Sequence, residues 1–225
     1  MTQPAHIKNV LFDLDGTLTD PREGITRCLQ YALEKLNRSA PSQSALATYI
    51  GPPLRSTFKS LLGAPSAEQV EAAVCFYRER FSLVGLFENE LYAGVPEMLE
   101  SLRGARFRLF VATSKAAVFA ERIIAHFRLA EFFDGVYGAS LDGRFDDKAE
   151  LLRHLIETEA LAASETVMVG DREHDIIAAR HNRIIALGVT YGYGSREELR
   201  TAGAACLCES PREINPTLLN ALSSR

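Results

Sequence analysis

The chain has 225 residues and a formal net charge of −4, with 47% hydrophobic and 24% charged residues. These values are typical of a globular protein and argue against a disordered one, and the length suits a domain with an inserted subdomain. The 25 basic residues are scattered, which disfavours a nucleic acid polymer as partner, and no apolar run reaches transmembrane length. Residues 1–6 lack the features of a signal peptide, so we expect a cytoplasmic protein.

A short apolar run at residues 10–12 ends in two carboxylates, Asp13 and Asp15, followed by Gly16. The run is too short for a self-standing helix and is typical of a strand buried on both faces. Carboxylates directly after a buried strand need a compensating charge. Because Mg²⁺ takes oxygen ligands and bridges carboxylates to phosphates, the pattern predicts a magnesium site.

Two other interpretations of this loop are an ordinary turn and a calcium-binding loop. If Asp13 were the first position of a calcium loop, the glycine would fall at position 18 and the bidentate glutamate at position 24. The sequence has Leu18 and Gly24 there, which excludes the calcium loop. The ordinary turn remains open from this stretch alone.

Apolar residues at helical spacing dominate the region from about residue 21 to residue 86. Between two such helices, the Gly-Pro-Pro sequence at residues 51–53 predicts a stiff turn that projects a loop. No strand-like run occurs in this block, whereas the flanking sequence has several. We therefore predict a helical cap at residues 19–91, inserted into a core of residues 1–18 and 92–225.

From Gly94 onward, helical and strand patterns alternate. Ser195 and Glu198 match a capping box at the start of the last-but-one helix. Strands are predicted at residues 109–112, 135–138, 166–169, 184–187 and 204–207. The alternation predicts an α/β fold with a Rossmann-like, mostly parallel sheet and helices on both faces.

The four cysteines do not form the paired Cys-x-x-Cys motifs of a zinc site. Cys28 and Cys75 fall on apolar helical faces, and Cys206 and Cys208 alternate on a predicted strand. We therefore expect reduced thiols that serve packing.

Polar side chains follow three of the predicted strands at their carboxyl ends, where ligands bind in such sheets. One Asp after a strand is often only a helix cap, but three coincident strand ends favour a shared site. The residues are Asp13 and Asp15 after the first strand, Thr113 and Ser114 after the second, and Asp171 and Asp175 after the strand near residue 169.

Taken in order, these residues resemble the four motifs of the haloacid dehalogenase superfamily of phosphotransferases. The motifs are residues 13–17 (DLDGT), Thr113, Lys148 and residues 170–175 (GDREHD). The match covers most of the chain, and the helical block resembles the small α-helical cap of that superfamily. The resemblance implies a Mg²⁺-dependent phosphomonoester hydrolase.

The resemblance also implies a role for each carboxylate. Asp13 would be the nucleophile that forms an aspartyl-phosphate, and Asp15 would be the general acid and base. Dehalogenases of the superfamily lack this second acid. Mg²⁺ would be held by Asp13, the backbone carbonyl of Asp15 and Asp171. Asp175 would bind in the outer shell or through water.

Three further residues would bind the phosphoryl group. Thr113 would hydrogen-bond its oxygens, with Ser114 nearby. Lys148 would offset the negative charge of the phosphate and of the nucleophile.

Several other residues near these motifs are left without an assigned role. Lys115 is equally well explained as a solvated helix start, and Arg172 and His174 either line the cleft or face solvent. Asn182 stands where relatives commonly carry a glycine after a helix, and we expect it to adopt the left-handed conformation that such a helix end needs.

Within the superfamily, the chain is similar to the phosphoglycolate phosphatase-like branch, and most similar to bacterial 5′-nucleotidases. Residues 50–54 (IGPPL) and 188–195 (GVTYGYGS) carry this resemblance, although stiff turns and close glycine packing also explain them. A nucleoside 5′-monophosphate is the expected substrate, and phosphoglycolate is the alternative. Arg55 of the cap would either meet the leaving group or, the stronger expectation, face solvent.

Two other functions fit the same scaffold. A β-phosphoglucomutase-like mutase would share every core motif, and a non-catalytic binding module would show damaged motifs, of which there are none. The expected partner is a small phosphorylated metabolite, and the protein is expected to be a monomer or small homo-oligomer. The cap is expected to close, because the intermediate needs controlled access of water.

Overall fold

The computed structural model describes residues 7–221. Residues 1–6, on which the expectation of a cytoplasmic protein depends, lie outside the described residues, as do residues 222–225. The described strands are β1 (Asn9–Phe12), β2 (Thr19–Asp20), β3 (Glu90–Leu91), β4 (Arg108–Ala116), β5 (Gly135–Ala139), β6 (Thr166–Gly170), β7 (Ile185–Val189) and β8 (Cys206–Cys208).

Six of these strands form one parallel sheet in the order β5-β4-β1-β6-β7-β8. The parallel sheet and all its predicted strands are confirmed. The strand predicted at residues 109–112 is longer in the structure because β4 continues through a register shift between Thr113 and Ala116. The sheet places β1 at its centre, between β4 and β6.

Helices cover both faces of the sheet. The described helices, including those of the inserted helical segment, are α1 (Arg22–Lys35), α2 (Gln43–Leu46), α3 (Leu54–Leu62), α4 (Ala67–Arg80), α5 (Val95–Gly104), α6 (Ala117–His126), α7 (Lys148–Thr158), α8 (Glu173–His181), α9 (Arg196–Ala202) and α10 (Ile214–Pro216). Along β1, Val10 and Phe12 pack into one apolar cluster and Leu11 into the other, and all three are fully buried. This burial on both faces explains why β1 is uniformly apolar.

The helical segment, defined as residues 22–85, contains α1 to α4 and ends in a π-helical turn, Phe81–Gly85. No strand occurs within it, as predicted. The short strands β2 and β3 lie at its two joints and pair with each other antiparallel, Thr19 with Leu91 and Asp20 with Glu90. The chain therefore enters and leaves the helical segment side by side, close to the end of β1.

The structure corrects three local expectations. Ser195 caps α9 by accepting a hydrogen bond from the Glu198 amide, but the reciprocal half of the capping box is wrong, because the Glu198 carboxylate binds Arg172 and the Glu173 amide instead. Asn182 is not left-handed (φ −89°); the next residue, Arg183, takes that conformation (φ +58°). Asn182 instead donates to the carbonyls of two helices, α7 and α8.

The third correction concerns a thiol. Cys28 and Cys208 are buried and Cys206 is half-buried, but Cys75 is exposed, so its predicted place on an apolar face is wrong. All four thiols are free. Among the described residues, no helix is both long and apolar enough to cross a membrane.

Candidate active site

The three polar strand ends meet because β1 lies between β4 and β6. Phe12 is level with Val111 of β4 and with Val169 of β6. The amide of Asp13 donates to the carbonyl of Val169 over 2.9 Å, which fixes the first residue after β1 against β6. The structure thus brings Asp13, Thr113 and Asp171 to one edge of the sheet, as predicted.

Asp13, Asp171 and Asp175 form a buried acidic cluster whose carboxylate oxygens lie within 4.8 Å of one another. Lys148, at the start of α7, is also buried; its Nζ lies 3.0 Å from Asp13 Oδ1 and also contacts Asp175. Burial disfavours the charged ammonium, but attraction to Asp13 and Asp175 outweighs it and raises the pKa of Lys148. Lys148 is therefore a fixed positive charge beside Asp13.

One oxygen of Asp171 lacks a hydrogen-bond partner. Asp171 is completely buried; its Oδ2 accepts from the Tyr193 amide over 2.7 Å, whereas its Oδ1 is buried with no donor. Burial, together with Asp175 and Asp13, raises the pKa of Asp171 well above its usual range. An unpartnered oxygen within an all-carboxylate cluster fits a hard divalent cation such as Mg²⁺.

Asp15 has a different partner from Asp13. Its Oδ2 lies 2.8 Å from Lys115 Nζ, and its Oδ1 is buried with no hydrogen-bond donor. Burial raises the pKa of Asp15, although Lys115 opposes the shift. The two acids are two residues apart in sequence but contact different lysines.

Lys115 is a site residue that the sequence left unassigned. The interpretation as a solvated helix start is wrong, because Lys115 lies within β4, its side chain is only 7% exposed, and α6 begins at Ala117. The sequence signal available was its position two residues after Thr113. The amide of Lys115 donates to the buried Thr113 Oγ1 over 3.2 Å, which fixes the Thr113 hydroxyl against the backbone of Lys115.

A cavity lies between the helical segment and the strand ends, lined on the core side by Asp13, Asp15, Thr113, Ser114 and Lys115. Arg55 of the helical segment also lines this cavity. Only 18% of its side chain is exposed, so the expectation that it faces solvent is wrong. Its guanidinium pairs with Glu71 at 2.6 Å and Asp146 at 3.4 Å. Arg55 therefore links α3 and α4 to the loop before α7.

Arg172 has a structural role of the same kind. Its Nε lies 2.9 Å from Glu198, and its guanidinium donates to the carbonyl of Ile50 in the turn between α2 and α3. A side chain at Gly51 would approach within 2.8 Å of Arg172, so the turn needs glycine there. His174 lines a second groove together with Lys148 and Ser114.

The glycine-rich loop at residues 188–195 packs on the loop after β1. Gly16 is in the left-handed region (φ +86°), where a Cβ would lie 2.1 Å from Asp171 Oδ2. A Cβ on Gly192 would lie 2.3 Å from the Gly16 carbonyl oxygen and 2.5 Å from Asp171 Cβ. These glycines therefore allow the two loops to meet around Asp171, which is the structural explanation that the sequence offered.

Comparison with known proteins places this geometry among hydrolases. A family model described as Haloacid dehalogenase-like hydrolase matches residues 10–189. Over 192 residues the chain is 50% identical to a 5′-nucleotidase of Pseudomonas aeruginosa, covering 85% of this chain and 86% of that protein. It is 38% identical to tyrosine-protein kinase PtkA of Mycobacterium tuberculosis over 82% of this chain, which spans only 62% of that protein.

Among solved structures, a predicted phosphatase from Clostridium acetobutylicum is 42% identical to this chain and matches it with a TM-score of 0.91. The match covers 95% of this chain and 99% of that chain. At this identity and coverage the resemblance extends over the helical segment as well as the sheet.

The packing around Gly192 yields a prediction about stability. Gly192→Ala should lower the free energy of unfolding by about 1–3 kcal/mol, because the added methyl group must displace the Gly16 or Asp171 loop. Urea unfolding measures the change. Gly104→Ala is the matched control, since a Cβ there has no atom within 4 Å, and it should leave stability equal or slightly higher. Equal losses in both variants would contradict this account of the loop.

Proposed function

The chain belongs to the haloacid dehalogenase-like hydrolase family and is a phosphatase, and we propose that it hydrolyses nucleoside 5′-monophosphates through an aspartyl-phosphate on Asp13. The observation that carries the proposal is that two buried carboxylates in one cavity are paired with different lysines. Asp13 is paired with Lys148 and Asp15 with Lys115. One carboxylate is thereby available for attack and the other for proton transfer.

In the first proposed step, a carboxylate oxygen of Asp13 attacks phosphorus and the bond from phosphorus to the ester oxygen breaks. Asp15 donates a proton to that oxygen, so the alcohol leaves neutral. In the second step, Asp15 takes a proton from a water molecule whose oxygen attacks the phosphorus. The bond to Asp13 breaks, inorganic phosphate leaves, and both carboxyl groups return to their starting state.

Thr113, Ser114 and Lys148 would hold the phosphoryl oxygens. Thr113 and Ser114 lie in β4, directly beside β1, and Ser114 lines both the cavity and the groove next to Lys148. The fixed positive charge of Lys148 beside Asp13 favours the approach of a phosphate dianion and stabilises the charge that develops during transfer.

Mg²⁺ would be held by the Asp13 and Asp171 carboxylates and the Asp15 backbone carbonyl. The unpartnered Asp171 Oδ1 and the oxygen-only cluster support this assignment. Asp175 would stay in the outer shell, since it already binds Lys148 and accepts from the Arg172 amide over 3.0 Å. When bound, the ion neutralises negative charge on the transferring group.

Residues 19–91 would form a cap whose movement at the paired joints admits a small phosphorylated metabolite and then excludes water. We propose a cytoplasmic protein that acts as a monomer or small homo-oligomer. The nucleotide assignment is supported by the 5′-nucleotidase at 50% identity. The kinase is less similar and much longer than this chain, so its activity is not carried over.

Asp13→Asn tests the covalent mechanism. Removal of the nucleophile should lower kcat by at least about 10³-fold, as loss of a covalent nucleophile does elsewhere. Release of inorganic phosphate in the presence of Mg²⁺ measures it. Asp142→Asn is the matched control, because Asp142 is exposed and does not line the cavity. Phosphate release by Asp13→Asn at the unsubstituted rate would rule out the aspartyl-phosphate.

Asp171→Asn tests the metal site without an activity assay. Mg²⁺ should raise the Tm of the unsubstituted protein relative to EDTA, because it binds only the folded site. The variant should lose this rise, while in EDTA it should be at least as stable, since one of three mutually repelling buried carboxylates is gone. An unchanged Mg²⁺-dependent rise in the variant would exclude Asp171 as a ligand.

A panel of phosphomonoesters tests substrate choice. Nucleoside 5′-monophosphates such as UMP and IMP should give the highest kcat/KM, followed by phosphoglycolate. Strong turnover of phosphoglycolate with none of UMP or IMP would reverse the order. Net isomerisation of a sugar phosphate without phosphate release would indicate a mutase, and the absence of any turnover would indicate a binding module.

A further inference from the structure

The proposed mechanism uses Asp15 but gives no role to its partner, Lys115. Both side chains are buried, 7% exposed for Lys115 and 10% for Asp15, and Nζ lies 2.8 Å from Asp15 Oδ2. No other carboxylate among the described residues lies within 4 Å of Lys115 Nζ. A buried ammonium is costly unless it is paired, and a buried ion pair often adds little net stability, so this pair calls for a functional explanation.

The surroundings of Lys115 restrict both its backbone and its side chain. Its amide is bound to Thr113 Oγ1, and Gly138 of β5 allows the neighbouring strand to approach closely, since a Cβ there would lie 2.5 Å from the Lys115 carbonyl oxygen. On the cavity side, the ring of Phe81 lies 4.4 Å from Nζ. Phe81 in turn packs edge-on against Phe119, with ring centroids 5.3 Å apart. The ammonium group is therefore enclosed between the core and the helical segment.

The two oxygens of Asp15 are not equivalent. Oδ2 is held by Lys115, whereas Oδ1 is buried without a hydrogen-bond donor. Asp15 itself lines the cavity. A carboxyl group protonated on Oδ1 still has a carbonyl oxygen, Oδ2, that accepts a hydrogen bond from an ammonium. Lys115 can therefore hold Oδ2 both before and after a proton moves on Oδ1.

We propose that Lys115 is the positioning residue of the acid–base step: it holds Asp15 Oδ2 and thereby commits Oδ1 to proton exchange with the leaving group and then with water. The proposal rests on the role of Asp15 given above. The proton leaves Oδ1 for the ester oxygen as the bond from phosphorus to that oxygen breaks, and Oδ1 recovers a proton from the attacking water. Lys115 neither gains nor loses a proton in this cycle.

Lys148 does not replace Lys115 in this role. Its Nζ is engaged by Asp13 and Asp175, and it forms no ion pair with Asp15. Without Lys115, the Asp15 side chain would keep its burial but lose the bond that fixes its rotation. The resulting defect should be confined to substrates whose leaving group needs a proton.

Leaving-group dependence of kcat/KM tests this inference, because kcat/KM covers only the steps up to departure of the leaving group. The two substrates are p-nitrophenyl phosphate, whose phenolate leaves without a proton, and the nucleoside monophosphate turned over best, whose alkoxide needs one. Lys115→Met should lower kcat/KM for the nucleotide by about 10²-fold, the usual contribution of general acid catalysis. The value for p-nitrophenyl phosphate should fall by less than about threefold.

Two further variants support the comparison. Lys115→Arg retains a donor and should recover much of the nucleotide activity, which also keeps the test valid if Lys115→Met does not fold. Lys8→Met is the matched control, because Lys8 forms a comparable pair with Glu165 at 2.7 Å on the exposed, opposite end of β1. It should leave both substrates unchanged.

Asp15→Asn, measured alongside, separates the possible failures. If Asp15→Asn loses the nucleotide activity selectively while Lys115→Met slows both substrates equally or neither, the role of Lys115 is wrong and the proposed function stands. If Asp15→Asn shows no selective loss, the role of Asp15 is wrong and this inference falls with it. A selective loss in both variants, with recovery in Lys115→Arg, supports the inference.

Discussion

Four carboxylates share one buried volume at the carboxyl ends of three neighbouring strands, and the surrounding structure compensates their charge. Two lysines, Lys115 and Lys148, enter this volume, which leaves negative charge in excess, and burial raises the pKa of Asp15, Asp171 and Asp175. The Tyr193 amide binds Asp171, and Gly16 and Gly192 pack directly against its side chain. A site with this excess of anionic oxygen suits a divalent cation and a phosphoryl group that it neutralises.

The two lysines give chemically identical acids different environments. Lys148 comes from the start of α7 and contacts Asp13 and Asp175, whereas Lys115 comes from the irregular end of β4 and contacts Asp15. Only one residue, Leu14, separates Asp13 from Asp15 in the loop after β1, yet the two carboxylates have different partners. The proposed division of labour between nucleophile and proton donor rests on these different partners.

The helical segment contributes to the site through side chains that bond to the core. Arg55 reaches Asp146, the core residue Arg172 reaches the carbonyl of Ile50, and Phe81 covers Lys115. These contacts connect the segment to the core next to the cavity. The proposed movement of the segment would break these contacts, and it would thereby link access of substrate to the environment of the proposed proton donor, Asp15.

The sequence by itself determined the six strands of the parallel sheet, the helical character of residues 22–85, and the set of strand-end residues, because apolar periodicity and the residues after each strand are local properties. It did not predict the short strands β2 and β3, because their pairing joins residues that are distant in sequence. It did not determine the partners of Lys115, Arg55 and Arg172, or which residue ends α8 in a left-handed conformation. Arg172 and Ile50 are 122 positions apart, and Lys115 meets Asp15 only because β4 lies beside β1. Such pairings depend on which strands become neighbours and on how the helical segment packs, so only the tertiary structure decided them.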